Sequence, residues 1–152
     1  MKNSGMAAMT QRLDESVGRV LEKLKETGEL DETLTIFTGD NCSDYEEWVF
    51  NARGMKGTPY VGGTRVPLIV AGPKVDTLVC DVPTIGMDFY PTLQSGVNAP
   101  SKLVEHVDGV DITPLFKLSG SIQDRPLYWH YPNYDEPPPF SPIIVDRWKL
   151  IH

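Results

Sequence analysis

The chain has 152 residues, 40% of them hydrophobic and 23% charged, which is typical of one globular domain with an ordinary core. A formal net charge of -7 at pH 7 argues against broad binding to nucleic acid or anionic membranes, although one cationic pocket can still bind an anionic substrate. No apolar run of about eighteen residues predicts a membrane span, and residues 1–10 lack the apolar stretch of a secretory signal peptide.

The two cysteines, Cys42 and Cys80, form no CxxC pair and do not resemble a disulfide framework. We predict two free thiols rather than one bridge between them. This leaves the compartment open, with a lean towards a reducing interior.

Residues 6–27 are predicted to form the first α-helix. Their apolar residues recur at spacings of three and four, and the charged residues fall outside that stripe. Gly28 follows as a natural stop.

Two short uncharged runs, residues 34–38 and 66–71, are predicted to be buried strands. Both are rich in β-branched and apolar residues, a pattern typical of parallel strands that are covered on both faces. A helix followed by such a strand indicates an α/β fold with a mixed, mostly parallel sheet and flanking helices.

Residues 86–96 are predicted to hold a short helix, with Asp88 as its N-cap and Pro91 in its first turn. Beyond Gly109 prolines interrupt the pattern, and residues 131–142 are predicted to be a loop. Residues 143–145 and 148–151 follow as the two strands of a hairpin.

Both ends of the chain lie within predicted secondary structure rather than in linkers. Because a parallel sheet needs several strands, we expect chain outside these residues to complete it. An edge left exposed in its absence would favour self-association.

Asp40 and Asn41 directly follow the first predicted strand. Their carboxylate and amide oxygens suit calcium or magnesium, and open α/β sheets place ligands at the carboxyl ends of strands. Gly-Asp-Asn is also ordinary turn chemistry, so a metal site and a plain turn both stay open.

Lys56 lies among Gly54, Gly57, Gly62 and Gly63. Glycines let the backbone approach a ligand closely, and a lysine held there could orient a tetrahedral anion or stabilise a developing oxyanion. The alternative is a solvated lysine in a loop. The segment is not a phosphate-binding P-loop, because GxxxxGK[ST] is missing and a strand follows rather than a helix.

Two other side chains are weaker candidates for substrate contact. Arg65 lies directly before the second predicted strand and could clamp a carboxylate or contact substrate. His130 could be a general acid or a packed histidine among aromatic residues. His106 and His152 have no partner in the sequence and are predicted to lie on the surface.

Several segments, in order, resemble the sulfatase family of the alkaline phosphatase superfamily. The residues, each with the family pattern, are 13–21 (LDxxVGRVL), 38–41 (TSDNG), 56–67 (KGTxYEGGxRVP), 88–93 (DxxPTLL), 108–112 (DGxSL), 128–132 (WHYP) and 148–151 (WKLI). One such motif would be weak evidence, but their shared order across nearly the whole chain is specific.

The resemblance implies hydrolysis of sulfate esters or sulfamates, on a sulfated small molecule or glycan. It also implies a formylglycine nucleophile and a divalent cation, usually calcium. By position, Asp40 and Asn41 would be metal ligands and Lys56 a catalytic residue that contacts the sulfate. Members of the family are often periplasmic, secreted or lysosomal.

The chain departs from the family at decisive places. No Cys/Ser-x-Pro-x-Arg motif, the source of formylglycine, occurs in it, and two further aspartate ligands have no counterpart. Gly39, Cys42 and Val61 replace the usual Ser, Gly and Glu. The resemblance therefore implies an incomplete ligand set and no activity for this chain alone.

We accordingly expect residues 1–152 to be the distal half of a sulfatase catalytic domain, shaped as part of an alkaline-phosphatase-like sandwich. Residues 109–152 would form a proline-rich segment leading towards the C-terminal subdomain. Two alternatives stay open: a related metal-dependent phosphohydrolase of the same superfamily, and a non-enzymatic remnant or interaction module.

Overall fold

The computed structural model describes residues 4–44, 51–97, 107–134 and 138–152. The α-helices are α1 (Ser4–Thr27), α2 (Val61–Thr64) and α3 (Phe89–Gly96), and short 3₁₀-helices span Leu30–Glu32, Gly86–Asp88 and Thr113–Phe116. The strands are β1 (Thr35–Thr38), β2 (Leu68–Ala71), β3 (Leu127–Tyr128), β4 (Pro142–Val145) and β5 (Trp148–Ile151).

The described residues divide into two compact units, one of Met1–Ile36 with Val70–Val75 and one of Phe37–Ile69 with Asp76–His152. The first unit holds α1. The second holds every candidate site residue that the structure describes.

Helix α1 confirms the predicted amphipathic helix, and Gly28 ends it with a φ of 77°. Its apolar stripe is not buried: Leu13 keeps 53% and Val20 61% of its surface exposed. No helix within the described residues is long and apolar enough to cross a membrane.

Strands β1 and β2 pair in a two-stranded sheet, which confirms both predicted strands with shorter bounds. The predicted burial was wrong, since Thr38 is exposed and Ile69 keeps 59% of its surface exposed. Helices and small sheets in this order fit part of an α/β domain. The wider, mostly parallel sheet stays a prediction.

The second sheet is antiparallel, with β4 between β3 and β5. It confirms the predicted hairpin and adds β3, which the sequence analysis missed. Alternation gives this sheet two faces. Leu127 and Pro142 are buried on one face, whereas Tyr128 and Trp148 are 60% and 71% exposed on the other.

The predicted loop before the hairpin contains one isolated bridge, between Tyr131 and Phe140. Their rings stack with centroids 5.0 Å apart. Residues 135–137 lie outside the described part of the chain.

Residues 86–96 form the predicted helical segment, and Asp88 lies at the predicted N-cap position of α3. Its side chain makes no capping bond to α3. It is fully buried, and its carboxylate instead accepts hydrogen bonds from the backbone N–H of Ile85 at 2.9 Å and of Val110 at 3.0 Å. It also pairs with the guanidinium of Arg125.

Thr92 extends this buried network. Its hydroxyl donates to the Asp88 carbonyl oxygen at 2.6 Å and accepts from the Ile112 N–H at 3.0 Å. Among the described residues, the buried hydrophobic core consists of Ile112, Leu115, Phe116 and Leu127. Asp88 thus joins three distant stretches of chain beside that core.

Asp88→Ala is expected to lower the free energy of unfolding by about 3–5 kcal/mol, because it leaves the largely buried Arg125 and two backbone donors without their acceptor. Chemical denaturation followed by circular dichroism measures the loss. Asp81→Ala, at an exposed aspartate, is the control and should stay within about 0.5 kcal/mol of wild type. Equal losses in the two variants would contradict a structural role for Asp88.

Candidate functional site

The tip of β1 runs close against Val66. A Cβ atom at Gly39 would lie 3.2 Å from the Asn41 carbonyl oxygen and 3.6 Å from Val66 Cβ. Asp40 and Asn41 follow directly and are both exposed. The Asn41 N–H donates to Asp40 Oδ1 at 2.8 Å, a bond between adjacent residues that decides neither for the plain turn nor for the metal site.

Backbone hydrogen bonds hold the segment that carries Lys56, residues 53–64, which we call the glycine loop. Gly54 and Gly57 adopt φ values of 86° and 82°, which L-residues with side chains rarely adopt. The Thr58 N–H and hydroxyl both donate to the Met55 carbonyl oxygen, at 3.0 and 2.7 Å. The loop is therefore a hydrogen-bonded turn and not an irregular connection.

The far end of the glycine loop folds back on its beginning. The Gly62 N–H donates to the Arg53 carbonyl oxygen at 2.9 Å. A Cβ atom at Gly62 or Gly63 would lie under 3.0 Å from backbone oxygens of the loop. Only glycine fits there without a backbone shift, which explains the Gly62-Gly63 pair that the sequence singled out.

Lys56 joins the glycine loop to the tip of β1. Its N–H donates to the Ser43 carbonyl oxygen at 3.0 Å, and its Nζ lies 4.0 Å from Asp44 Oδ2. These side chains are 49% and 70% exposed, so the ion pair is weak and screened by solvent. The ammonium group is available to an external anion.

Cys42 and Arg65 make a second link between the same segments. The Cys42 Sγ donates to the Arg65 carbonyl oxygen at 2.6 Å, while the Arg65 side chain is exposed. Burial raises the pKa of the Cys42 thiol, with a smaller opposing effect from the Lys149 charge. The thiol is therefore neutral near pH 7, and both cysteines are free, as predicted.

His130 lies on another element. Its Nδ1 is 2.9 Å from Ser141 Oγ, and its side chain is exposed. No contact between it and Asp40, Asn41 or Lys56 is present in the described structure, so its role stays a prediction. His152 is exposed, as predicted, and His106 lies outside the described residues.

The Asp40–Asn41 pair fits part of the coordination sphere of a hard cation. Asp40 Oδ1 accepts the Asn41 N–H, and both residues face solvent. No group of three or more His, Cys, Asp or Glu residues that could hold a metal occurs among the described residues. The donors are of the right kind for calcium or magnesium, but they are few.

The sequence analysis missed Lys149, which contacts the glycine loop from β5. Its Nζ donates to Thr64 Oγ1 at 2.9 Å and lies 5.6 Å from the centroid of the Trp129 ring. Burial lowers the pKa of Lys149, with a smaller opposing effect from Cys42. A lysine at an inward position of an otherwise apolar strand was the signal available in the sequence.

Comparison with known proteins gives one family. The Sulfatase family model matches residues 6–96, which include α1, Asp40, Asn41, Lys56 and Arg65. Similar relatives include a sulfatase of Formosa agariphila, 37% identical over 147 residues, with 84% of this chain and 26% of the relative covered. A choline-sulfatase of Rhizobium meliloti is 31% identical over 144 residues, with 92% and 27% covered.

Human arylsulfatase A is 33% identical over 133 residues, with 82% of this chain and 25% of the relative covered. The chain thus spans about a quarter of the length of the relatives it matches. The family model takes in the strand tip and the glycine loop, the two segments that the Lys56–Ser43 bond joins. The chain belongs to the sulfatase family.

Proposed function

We propose that this chain supplies the metal-binding strand tip and the sulfate-binding lysine of a sulfate ester hydrolase. The observation that carries the proposal is the hydrogen bond from the Lys56 N–H to the Ser43 carbonyl oxygen. It holds the glycine loop against the segment that contains Asp40 and Asn41. A lysine and hard oxygen ligands on adjoining segments can act on one anionic group.

Asp40 and Asn41 would hold a divalent cation, calcium or magnesium, as part of its ligand set. When bound, such a cation neutralises charge on the oxygens of the transferring sulfuryl group. Because the two residues supply few of the oxygens that calcium requires, they would bind it weakly by themselves.

Lys56 would contact the sulfate and steady the charge that develops on it. Its Nζ is half exposed and only weakly engaged by Asp44, so an anion can displace that contact at little cost. Arg65, at the end of the same loop, and His130 are the further proposed substrate contacts. Of the two, Arg65 has the better support, since its backbone already contacts the strand tip through Cys42.

We further propose that these 152 residues bind sulfate without turning over a sulfate ester. They contain no Cys/Ser-x-Pro-x-Arg motif from which a formylglycine nucleophile is made. Cys42 does not replace it, since burial keeps its thiol protonated and the thiolate is the reactive form.

The substrate class that we propose is a sulfated small molecule or glycan. Relatives with similar coverage of this chain include a choline-sulfatase, steryl-sulfatases and an N-acetylglucosamine-6-O-sulfatase. Their names share the sulfate group and differ in the molecule to which the sulfate is attached: choline, a sterol or a sugar. The residues discussed above would accordingly recognise the sulfate.

The first test of the proposal is calcium binding. In a calcium titration followed by ¹H–¹⁵N NMR, the amide signals of Asp40 and Asn41 should shift with an apparent Kd of about 1 mM or weaker. Asp40→Asn removes the charged ligand and should abolish the shifts. Asp81→Asn, at an exposed aspartate elsewhere, is the control. Unchanged shifts in Asp40→Asn would contradict the metal assignment.

Sulfate binding tests Lys56. Lys56→Met should weaken the binding of inorganic sulfate or 4-nitrophenyl sulfate about tenfold, the loss expected for one charge-assisted hydrogen bond. Lys25→Met, which removes an exposed lysine of α1, controls for net charge. Equal weakening in both variants would mean that the anion responds only to overall charge.

An activity assay tests the missing nucleophile. With calcium present, the protein should hydrolyse 4-nitrophenyl sulfate no faster than a buffer blank, because no group in it can form the covalent intermediate. Turnover that survives repurification and disappears in Lys56→Met would refute this. Turnover of 4-nitrophenyl phosphate alone would favour the related phosphohydrolase.

A further inference from the structure

We propose that Lys149 of β5 is a positioning residue that fixes the glycine loop through Thr64, and thereby places Lys56 for its anion. The second half of this inference rests on the function proposed for Lys56. The first half concerns only the loop and can be tested without any ligand.

The strand places Lys149 towards the interior of its unit. Within β5 it alternates with Trp148 and Leu150, which are 71% and 69% exposed on the opposite face. Its β4 partner is Ile144. From this inward position the side chain reaches α2, and its Nζ lies 2.9 Å from Thr64 Oγ1.

Helix α2 is the part of the glycine loop that needs an outside contact. It has only four residues, too few to be stable by helix propensity alone. The Thr64 hydroxyl, which accepts from Lys149, donates to the Tyr60 carbonyl oxygen at 3.2 Å. The Gly63 N–H donates to the same oxygen at 2.9 Å. The Lys149 bond therefore ends on the hydrogen-bond network that closes the loop.

The surroundings of Lys149 do not suit a lysine that serves packing alone. Among the described residues no carboxylate lies within ion-pair distance of its Nζ; its contacts are the Thr64 hydroxyl and the Trp129 ring. Burying part of an ammonium group without a counter-ion is unfavourable, and a methionine would fill the same space without that cost. A partly buried charge with a directed hydrogen bond indicates a role in holding Thr64.

The experiment measures amide hydrogen exchange in the glycine loop and the sulfate affinity of the same samples. Lys149→Met removes the bond at similar volume, and Lys149→Arg keeps a cationic donor. Thr64→Val removes the acceptor, and Thr64→Ser keeps it. Lys25→Met again controls for the lost charge.

We expect Lys149→Met to speed the exchange of the Gly62, Gly63 and Arg65 amides about tenfold, and to weaken sulfate binding by a similar factor, since one hydrogen bond to a charged group is lost. Lys149→Arg and Thr64→Ser should stay near wild type. The double variant Lys149→Met/Thr64→Val should be no worse than Thr64→Val alone, because Thr64→Val already removes the bond to Lys149 together with the bond to the Tyr60 carbonyl oxygen.

Unchanged loop exchange in Lys149→Met, failure of Lys149→Arg to rescue it, or additive effects in the double variant would each overturn the proposal. If Lys149→Met does not fold, Lys149→Leu decides the same question, because it also removes the ammonium group and leaves the bond from Thr64 to Tyr60 in place. If wild type binds no sulfate, the function proposed for Lys56 fails, and loop exchange still decides the role of Lys149. Sulfate binding that depends on Lys56 but not on Lys149 would leave the proposed function standing and reject this inference.

Discussion

The hydrogen bond between the Lys56 N–H and the Ser43 carbonyl oxygen is the contact on which the candidate site depends, because it joins the glycine loop to the segment that follows β1. It is a backbone bond, so it places the loop regardless of the Lys56 rotamer. It can form only because the glycine loop turns sharply at Gly54 and Gly57 and closes without side chains at Gly62 and Gly63. The glycines thus set the backbone path of the loop, and the Lys56 side chain stays half exposed and accessible to a ligand.

Charged side chains of both signs lie around this bond. The protein carries a net charge of -7, yet Lys56, Arg65 and Lys149 all touch or belong to the glycine loop. The carboxylates beside them, Asp40 and Asp44, are exposed and lightly engaged. Solvent screens such pairs, so their contribution to stability is small and their freedom to rearrange around a ligand is large.

Sequence reasoning succeeded where the determining interactions are local. Periodicity placed α1, Gly28 ended it, and two short runs after the proline-rich loop placed the β4–β5 hairpin, since each depends on residues a few positions apart. It missed the buried contacts of Asp88, whose partners Val110 and Arg125 are distant in sequence, and it missed Lys149 for the same reason. Local sequence could not choose between a plain turn and a metal site at Asp40, because Asp and Asn side chains suit both. The resemblance to the sulfatase family depends on motifs across the whole chain, so it identified a family that no single segment could identify.

The rigidity of the candidate site has a different origin from that of the core. The buried hydrophobic residues of the described chain gather near α3 and the Asp88 network, and none of them belongs to the glycine loop or the tip of β1. Short-range hydrogen bonds and glycine geometry hold the loop instead. Such bonds are individually weak in water, so a loop built from them opens easily unless a neighbouring element restrains it. Strand β5 is that element, because its pairing with β4 anchors Lys149 on one side while the ammonium group holds Thr64 on the other.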